Sequence, residues 1–325
     1  MKKRDTLNTQ NNLNKITILD LEAIGLDLDL SLLKEFGSLD TFNITCAEDT
    51  INRCISSSIV ITNKVQFDKS TLEKLPNLKL ICIAATGTNN VDLEAAKELN
   101  IEVKNVSGYS TKSVAQLTLT FVLNFLNSIP DLTEYTKSKK WIQSNSFTHL
   151  SYPIYGLEGK TWGIIGLGTI GKEVARVATF LGANIKYYST SGKNLNNDYD
   201  QLSLEELLKS SDIVSIHCPL NENTKRLLKT KELELLKENS ILVNVGRGGI
   251  IDEKDLAALL EHKKINVALD VLESEPMSEN SHLIPHLEKK NVIVTPHIAW
   301  ASKESRSILF DGILLNIKDF LNYKS

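Results

Sequence analysis

The sequence TWGIIGLGTIG at residues 161–171 decides the fold. An apolar run ends in three glycines with the spacing Gly-x-Gly-x-x-Gly (Gly166, Gly168 and Gly171), and a helical pattern follows at once. This order predicts a strand, a tight turn and a helix. In such a turn one glycine permits the bend, the second lets a pyrophosphate approach the backbone, and the third lets helix and strand pack closely. The stretch therefore predicts a dinucleotide site.

Short apolar runs alternate with amphipathic segments on both sides of this stretch. The predicted strands cover residues 16–19, 42–45, 58–61, 80–83, 101–103, 161–165, 185–188, 213–217, 241–245, 266–271 and 292–295. The predicted helices cover residues 28–36, 49–55, 70–75, 93–99, 111–127, 172–181, 204–209, 230–237, 253–261 and 302–322, with Ser203 and Asp252 as N-caps. This alternation predicts an α/β fold with parallel sheets, and the six strands of the second half suit a doubly wound dinucleotide-binding sheet.

Two helices and one irregular segment predict how the chain is divided. The helix at 111–127 is apolar on most sides, which suits burial between two domains, and the helix at 302–322 has no strand left to cover in the second half. We therefore predict a polar tail at 1–14, a discontinuous domain at 15–108 and 300–325, and a second domain at 109–299. Residues 130–158 form either a wrapped loop or an arm that packs on another subunit. We favour the arm, and with it a homodimer.

The composition is that of an ordinary globular protein, with 42% hydrophobic and 24% charged residues among 325 and a net charge of −3. Because there is no basic excess, we expect no binding to nucleic acid or to an anionic membrane. The four cysteines lie far apart, which favours reduced thiols over disulfides or a zinc site, and we expect no bound metal. The polar N-terminus lacks the apolar segment of a secretory signal, so we expect a cytoplasmic protein.

Uncommon polar residues directly follow the predicted strands of the second half. Arg247 lies in the sequence GRGG after one strand, Asp270 ends the next strand with Glu275 shortly after it, and His297 follows the last strand. Because the carboxyl ends of parallel strands share one edge, these side chains should meet near the glycine turn. Taken singly, each has a plain alternative: His297 as a hydrogen-bonded core or rim histidine, Arg247 as a helix cap or a surface ion-pair partner, Asp270 as a cap of the next turn, and Glu275 as part of a solvated acidic turn.

Together these side chains suit hydride transfer between a nicotinamide and a carbon that bears a hydroxyl. That reaction needs a group to accept and return the hydroxyl proton, and histidine has an ordinary pKa near neutrality. Glu275 would hold the tautomer of His297, and Arg247 would bind a substrate carboxylate through its planar fork. The turn AATGTNN at 84–90, which follows a strand of the first half, is either a further ligand loop or a simple connection.

Six motifs in this order resemble the D-isomer-specific 2-hydroxyacid dehydrogenase family: ATGTNNVDLEAA, the glycine fingerprint, HCPLNENT, VNVGRGGIID, ALDVLESEP and TPHIAWAS. The resemblance covers the chain from about residue 16 to the last helix. It implies a Rossmann NAD(P)-binding domain at 109–299 and a flavodoxin-like substrate-binding domain in the remainder. The segments SVAQ at 113–116 and HIAWA at 297–301 look most like the glycerate dehydrogenase (hydroxypyruvate reductase) branch.

The resemblance also implies roles for individual residues. Arg247 would orient the substrate, and Glu275 would pair with the acid/base His297. The implied substrate contacts are Thr86, Gly87, Thr88, Arg247 and Trp300. The implied cofactor contacts are Gly166, Leu167, Gly168, Thr169, Ile170, Gly171, Ser189, Lys193, Cys218, Pro219, Thr224, Val245, Asp270, His297 and Ala299, with Asp270 at the nicotinamide carboxamide.

The strand after the glycine turn departs from the pattern of an NAD-selective protein. Such a protein carries Asp or Glu about 20 residues after the glycines, to bind the ribose 2′-OH. Here Ser189 fills that position, and no acidic residue occurs between Glu173 and Asp198. The hydroxyl-rich loop with Lys193 would bind a 2′-phosphate, or it would accept NAD through hydroxyl contacts. Both NAD and NADP therefore stay open.

These features predict an NAD(P)-dependent reductase of small 2-oxo acids that converts hydroxypyruvate or glyoxylate to D-glycerate or glycolate. One alternative is a reductase for another D-2-hydroxy acid, such as lactate or a bulkier branched acid. The other is a dinucleotide-sensing binding protein of the same fold, which would bind cofactor with negligible turnover.

Overall fold

The computed structural model describes residues 14–193 and 196–321. The predicted polar tail lies outside these described residues except for Asn14, and so do residues 322–325 of the predicted discontinuous domain. The chain divides into two compact units, one with the described residues up to Tyr109 and from Lys303 onward, the other with Ser110–Ser302. Each unit is built on its own parallel sheet.

The first unit contains a five-stranded sheet. Its strands are β1 (Lys15–Ile18), β2 (Ser38–Thr41), β3 (Ile59–Thr62), β4 (Leu80–Ile83) and β5 (Glu102–Asn105). Its first helices are α1 (Leu21–Ile24), α2 (Thr50–Cys54), α3 (Lys69–Leu72) and α4 (Leu93–Glu98), with 3-10 helices at Leu30–Glu35 and Ala47–Asp49. The order β2-β1-β3-β4-β5 is the flavodoxin-like order, as expected.

The second unit contains a seven-stranded parallel sheet. Its strands are β6 (Thr161–Ile165), β7 (Asn184–Tyr188), β8 (Asp200–Gln201), β9 (Ile213–Ile216), β10 (Ile241–Asn244), β11 (Asn266–Leu269) and β12 (Val292–Val294). Its helices are α5 (Thr111–Leu126), α6 (Ile129–Lys137), α7 (Thr169–Phe180), α8 (Leu204–Ser210), α9 (Thr230–Leu233) and α10 (Glu253–Leu259), with a 3-10 helix at Ile284–His286. The order β12-β11-β10-β9-β6-β7-β8 is doubly wound and reverses between β6 and β9, where such sheets bind their ligands.

The last helix, α11 (Lys303–Phe320), belongs to the first unit and packs on β4 and β5. A Cβ on Gly312 would lie 2.6 Å from a methyl group of Val106, so the helix approaches the chain after β5 closely. The side-chain amide of Asn316 also donates to the carbonyl oxygen of Asn105 at 3.0 Å.

The central strand β6 is buried on both faces, as its apolar sequence predicts. Trp162 and Ile164 lie in one hydrophobic cluster, and Ile165 lies in the cluster on the opposite face. Ser203 and Asp252 cap α8 and α10 as predicted, since each side chain accepts from the backbone N–H three residues later. No helix within residues 14–193 or 196–321 combines the length and the apolar character needed to cross a membrane.

Several sequence predictions about elements are wrong. The short helix α1 was not predicted, and the helix predicted at 28–36 is the 3-10 helix Leu30–Glu35. The second strand lies at Ser38–Thr41 rather than at 42–45, because this half-exposed edge strand has little apolar signal. The segment at 130–158 is not wholly irregular: Ser128 has a left-handed backbone, α6 begins at Ile129, and Pro130 lies in its first turn, where a helix needs no N–H. The second sheet has a seventh strand, the two-residue β8, which pairs with β7.

Candidate active site

The three glycines of the turn meet three different steric requirements. Gly166 has φ +93°, and a Cβ there would lie 2.8 Å from the backbone nitrogen of Cys218. A Cβ on Gly171 would lie 2.3 Å from the carbonyl oxygen of Gly166, so α7 packs tightly against the turn. A Cβ on Gly168 would meet nothing within 4 Å, so there is open space at the N-terminus of α7. These residues therefore fit a dinucleotide pyrophosphate.

The residues around this turn differ in exposure. Leu167 is fully buried, whereas Thr169, the first residue of α7, is exposed and Ile170 is half-buried. Ser189 directly follows β7, and its Oγ is buried with no hydrogen-bond partner among the described residues. Lys193 is exposed, and residues 194–195 lie outside the described ranges.

The loop after β9 is shaped by buried side chains. Cys218 packs against Gly166, and burial raises the pKa of its thiol to about 11. Thr224 is fully buried, and its hydroxyl donates to the carbonyl oxygen of Pro219 at 2.6 Å and accepts from the N–H of Asn221 at 2.8 Å. Cys218 and Thr224 therefore hold the loop in place, while Pro219 is exposed.

His217 also lies at this edge, but it is held as a neutral ring. The indole N–H of Trp162 donates to Ser215 Oγ at 2.8 Å, and the same oxygen is hydrogen-bonded to His217 Nε2 at 2.9 Å. Burial disfavours the charged ring and lowers the pKa of His217 to about 3. A ring that is neutral near pH 7 and occupied at Nε2 is poorly suited to exchange protons with a substrate.

His297 and Glu275 form a close pair. His297 Nδ1 lies 2.6 Å from Glu275 Oε2, and the two side chains are 26% and 31% exposed. Glu275 Oε1 accepts from the N–H of Leu272 at 3.2 Å, which fixes the carboxylate. Because a carboxylate accepts, this contact assigns a proton to Nδ1 and leaves Nε2 as the nitrogen for proton exchange.

The turn that carries His297 has an unusual backbone. His297 has φ +53°, a conformation that costs a non-glycine residue about 1–3 kcal/mol. Its N–H donates to the carbonyl oxygen of Asp270 at 2.9 Å, and the Asp270 carboxylate accepts from the N–H groups of Ile298 at 2.9 Å and Ala299 at 2.8 Å. Burial raises the pKa of Asp270, and these hydrogen bonds act in the opposite direction. Asp270 therefore holds the turn, a contribution that sequence reasoning missed.

Arg247 lies exposed in the turn after β10. The side chain of Asn244 holds this turn, because its amide donates to the carbonyl oxygen of Arg247 at 2.9 Å and its oxygen accepts from the N–H of Gly246 at 3.0 Å. No carboxylate of the described residues forms an ion pair with Arg247, whose guanidinium donates to the carbonyl oxygen of Gly246 at 2.8 Å. The cation is thus available to an anionic ligand. Sequence reasoning also missed Asn244, since an Asn at a buried strand end carries no periodic signal.

Gly248 joins the Arg247 turn to the loop that carries Glu275. A Cβ on Gly248 would lie 1.8 Å from the carbonyl oxygen of Leu272, so only glycine permits this approach. Glu253, the first residue of α10, also accepts from the N–H of Glu273 at 2.6 Å. Arg247 and Glu275 are therefore carried by loops in direct contact, as the shared sheet edge predicts.

The remaining predicted substrate residues belong to different units of the chain. Thr86, Gly87 and Thr88 follow β4 in the first unit, where the amide of Asn105 donates to the carbonyl oxygen of Thr86 at 2.6 Å. Trp300 follows the His297 turn in the second unit and is half-buried. Their contacts with a substrate stay predictions.

Comparisons with known proteins agree with this architecture. Residues 119–299 match the family model described as D-isomer specific 2-hydroxyacid dehydrogenase, NAD binding domain. The chain is 35% identical to hydroxypyruvate reductase of Blautia hydrogenotrophica, over 94% of this chain and 97% of that one. It is 34% identical to glycerate dehydrogenase of Methylorubrum extorquens, over 84% and 86%.

A solved structure extends the likeness to the whole fold. An acyclic imino acid reductase in complex with NADPH and D-Arg superposes with a TM-score of 0.82 at 29% identity, over 95% of this chain and 98% of that one. Sequence and structure thus agree over both units. The chain belongs to the D-isomer-specific 2-hydroxyacid dehydrogenase family, near its glycerate dehydrogenase branch.

Proposed function

We propose that the protein is an NAD(P)-dependent reductase of small 2-oxo acids, which converts hydroxypyruvate to D-glycerate and glyoxylate to glycolate. The observation that carries the proposal is the 2.6 Å contact between His297 and Glu275, at the sheet edge that also holds the open glycine turn. Arg247, with no carboxylate partner among the described residues, lies in a loop next to that of Glu275. The two relatives, a hydroxypyruvate reductase and a glycerate dehydrogenase, support this choice of substrate.

Each of the three side chains has a distinct task in this proposal. A bound reduced nicotinamide would supply the hydride to the carbonyl carbon of the acid. Arg247 binds the substrate carboxylate through two parallel N–H groups and so orients the carbonyl. His297 donates its Nε2 proton to the carbonyl oxygen as that oxygen becomes a hydroxyl, and Glu275 stabilises the charged ring before the transfer.

We also propose that the cofactor is NAD or NADP, with Asp270 at the nicotinamide carboxamide. The position after β7 holds Ser189 instead of a carboxylate, so a 2′-phosphate meets no negative charge from that residue. The buried hydroxyl of Ser189 and the exposed Lys193 lie at this strand end. The matching family model describes an NAD-binding domain, whereas the structure of the imino acid reductase contains NADPH. These two comparisons are compatible with either cofactor.

A substrate and cofactor screen tests the proposal. Purified protein is assayed by nicotinamide absorbance with NADH and, separately, NADPH against hydroxypyruvate, glyoxylate, pyruvate and a branched 2-oxo acid. We expect the highest kcat/KM for hydroxypyruvate or glyoxylate, and the ratio of kcat/KM with NADH and with NADPH identifies the preferred cofactor. A preference for pyruvate or the branched acid would support another reductase of the same family. Tight cofactor binding without turnover of any acid would contradict the proposed reductase activity and favour a dinucleotide-sensing binding protein.

We further propose that residues 130–158 form a dimerisation arm that packs on a second copy of the chain. The segment exposes several large apolar side chains, with Phe147 90%, Ile142 82% and Leu150 74% exposed. It is nevertheless ordered by its own contacts, since the rings of Tyr135 and His149 stack with centroids 3.7 Å apart. A single segment with this much exposed apolar surface is typical of an interface.

Measuring the molecular mass in solution tests whether residues 130–158 form a dimerisation arm. Light scattering should give twice the chain mass for the wild type, and Phe147→Glu should shift the protein toward the monomer because a charge would be buried at the interface. The matched control is Phe180→Glu at the end of α7, where the side chain is 87% exposed outside the arm. A monomeric wild type, or equal effects of both substitutions, would contradict the arm.

A further inference from the structure

The position of His297 depends on the carboxylate of Asp270. The orientation of that carboxylate must in turn be fixed by other groups. Asp270 is 1% exposed, and its Oδ1 and Oδ2 accept from the N–H groups of Ile298 and Ala299, on the C-terminal side of His297. Ile298 and Ala299 belong to the same turn as His297. A carboxylate that rotated would therefore release the backbone that keeps His297 in its left-handed conformation.

Thr295 is the side-chain donor that fixes this rotation. Its hydroxyl donates to Asp270 Oδ1 at 2.6 Å, the shortest of the three bonds to this carboxylate. Oδ1 then accepts from both Thr295 and Ile298, which occupies both of its lone pairs. Because Asp270 is almost fully buried, bulk water would not readily replace a lost hydroxyl.

The backbone of Thr295 acts on the same turn. Its N–H donates to the carbonyl oxygen of Leu269 in β11, and its carbonyl oxygen accepts from the N–H of His297, each at 2.9 Å. Thr295 thus binds the turn from the N-terminal side while Asp270 binds it from the C-terminal side. His297 lies between these two attachments.

We propose that Thr295 is a positioning residue for His297, and that its hydroxyl, acting through Asp270, holds the imidazole at Glu275 in the geometry for proton transfer. This inference rests on the proposed function, because it needs a reaction in which His297 moves a proton. Thr295 itself acts through Asp270 and the turn. The role belongs to the hydroxyl group, so it is separable from the volume of the side chain.

The test compares Thr295→Val with Thr295→Ser. Valine keeps the shape and removes the hydroxyl, so kcat should fall about 10- to 100-fold, the loss expected from a misplaced catalytic group. Serine keeps the donor, so kcat should return to within a few-fold of the wild type. The matched control is Thr118→Val in α5, a fully buried threonine whose hydroxyl donates to the carbonyl oxygen of Val114 in the same helix.

A double-mutant cycle separates positioning from general stability. In a His297→Ala background, Thr295→Val should cause no further loss of kcat, because the group that it positions is absent. A full additional loss in that background, or wild-type kcat for Thr295→Val, would overturn the inference while leaving the proposed reductase intact. An inactive wild type would instead overturn the proposed function. If Thr295→Val does not fold, a poorly active but folded Thr295→Ser, with a donor present, would also contradict the role.

Discussion

Replacing His297 by alanine should lower kcat by about 10²- to 10⁴-fold, the contribution typical of a general acid/base. The physical reason is that the ring nitrogen opposite the Glu275 contact is the one assigned to the substrate oxygen. The dissociation constant of the cofactor should change little, because the glycine turn and the N-terminus of α7 do not depend on the imidazole. Steady-state kinetics and calorimetric titration with NADPH measure the two quantities separately.

The chain offers a matched control for this substitution. His262 also contacts a carboxylate, with Nε2 2.7 Å from Glu234 Oε1, but the pair lies on the surface, with side chains 58% and 42% exposed. His262→Ala should therefore leave kcat unchanged. If both alanine variants lost activity equally, or if His297→Ala kept full turnover, the assignment of His297 would be wrong.

Arg247→Lys should raise KM for the 2-oxo acid by about 10- to 100-fold, which corresponds to the loss of one charge-assisted hydrogen bond. Lysine keeps the positive charge, but an ammonium does not reproduce the two parallel N–H groups that match a carboxylate. The cofactor Kd should be unchanged, since the predicted role of Arg247 is confined to the substrate. Initial rates over a range of hydroxypyruvate concentrations measure the effect.

Arg226→Lys is the control for this experiment. Arg226 forms a surface ion pair with Asp252, Nε to Oδ2 3.3 Å, and its side chain is 55% exposed, so a small effect is expected. Unchanged kcat and KM for Arg247→Lys would show that the guanidinium does not bind the substrate carboxylate. An effect on cofactor Kd alone would indicate that Arg247 contacts the cofactor rather than the substrate.

The parts of the fold that could be predicted from the sequence are those with a strong local signal. Strand β4 (Leu80–Ile83) lies where it was predicted, because a strand buried on both faces is a continuous apolar run. Strand β2 was misplaced, because an edge strand with half-exposed residues shows no such run. Helix α6 lies partly in the segment expected to be irregular, because Pro130 is typical both of irregular chain and of the first turn of a helix.

The sequence predicts only those features of the candidate site that follow from the direction of the strands. Parallel strands bring their carboxyl ends to one edge, which is why Glu275 and His297 could be expected together before any coordinates were known. The groups that hold them could not be expected. The roles of Asn244 and Thr295 depend on hydrogen bonds to particular turn atoms, and that of Asp270 on the left-handed backbone of His297. None of these features produces a periodic pattern in the sequence.

The most direct test of the proposed reaction follows the hydride itself. Wild-type protein is incubated with hydroxypyruvate and a reduced nicotinamide cofactor that carries deuterium at the transferring position, and the product is examined by mass spectrometry and chiral chromatography. Hydride transfer to the carbonyl carbon predicts D-glycerate with deuterium on the carbon that bears the new hydroxyl. Glycerate without deuterium at that carbon, or no product although the cofactor binds, would contradict the account.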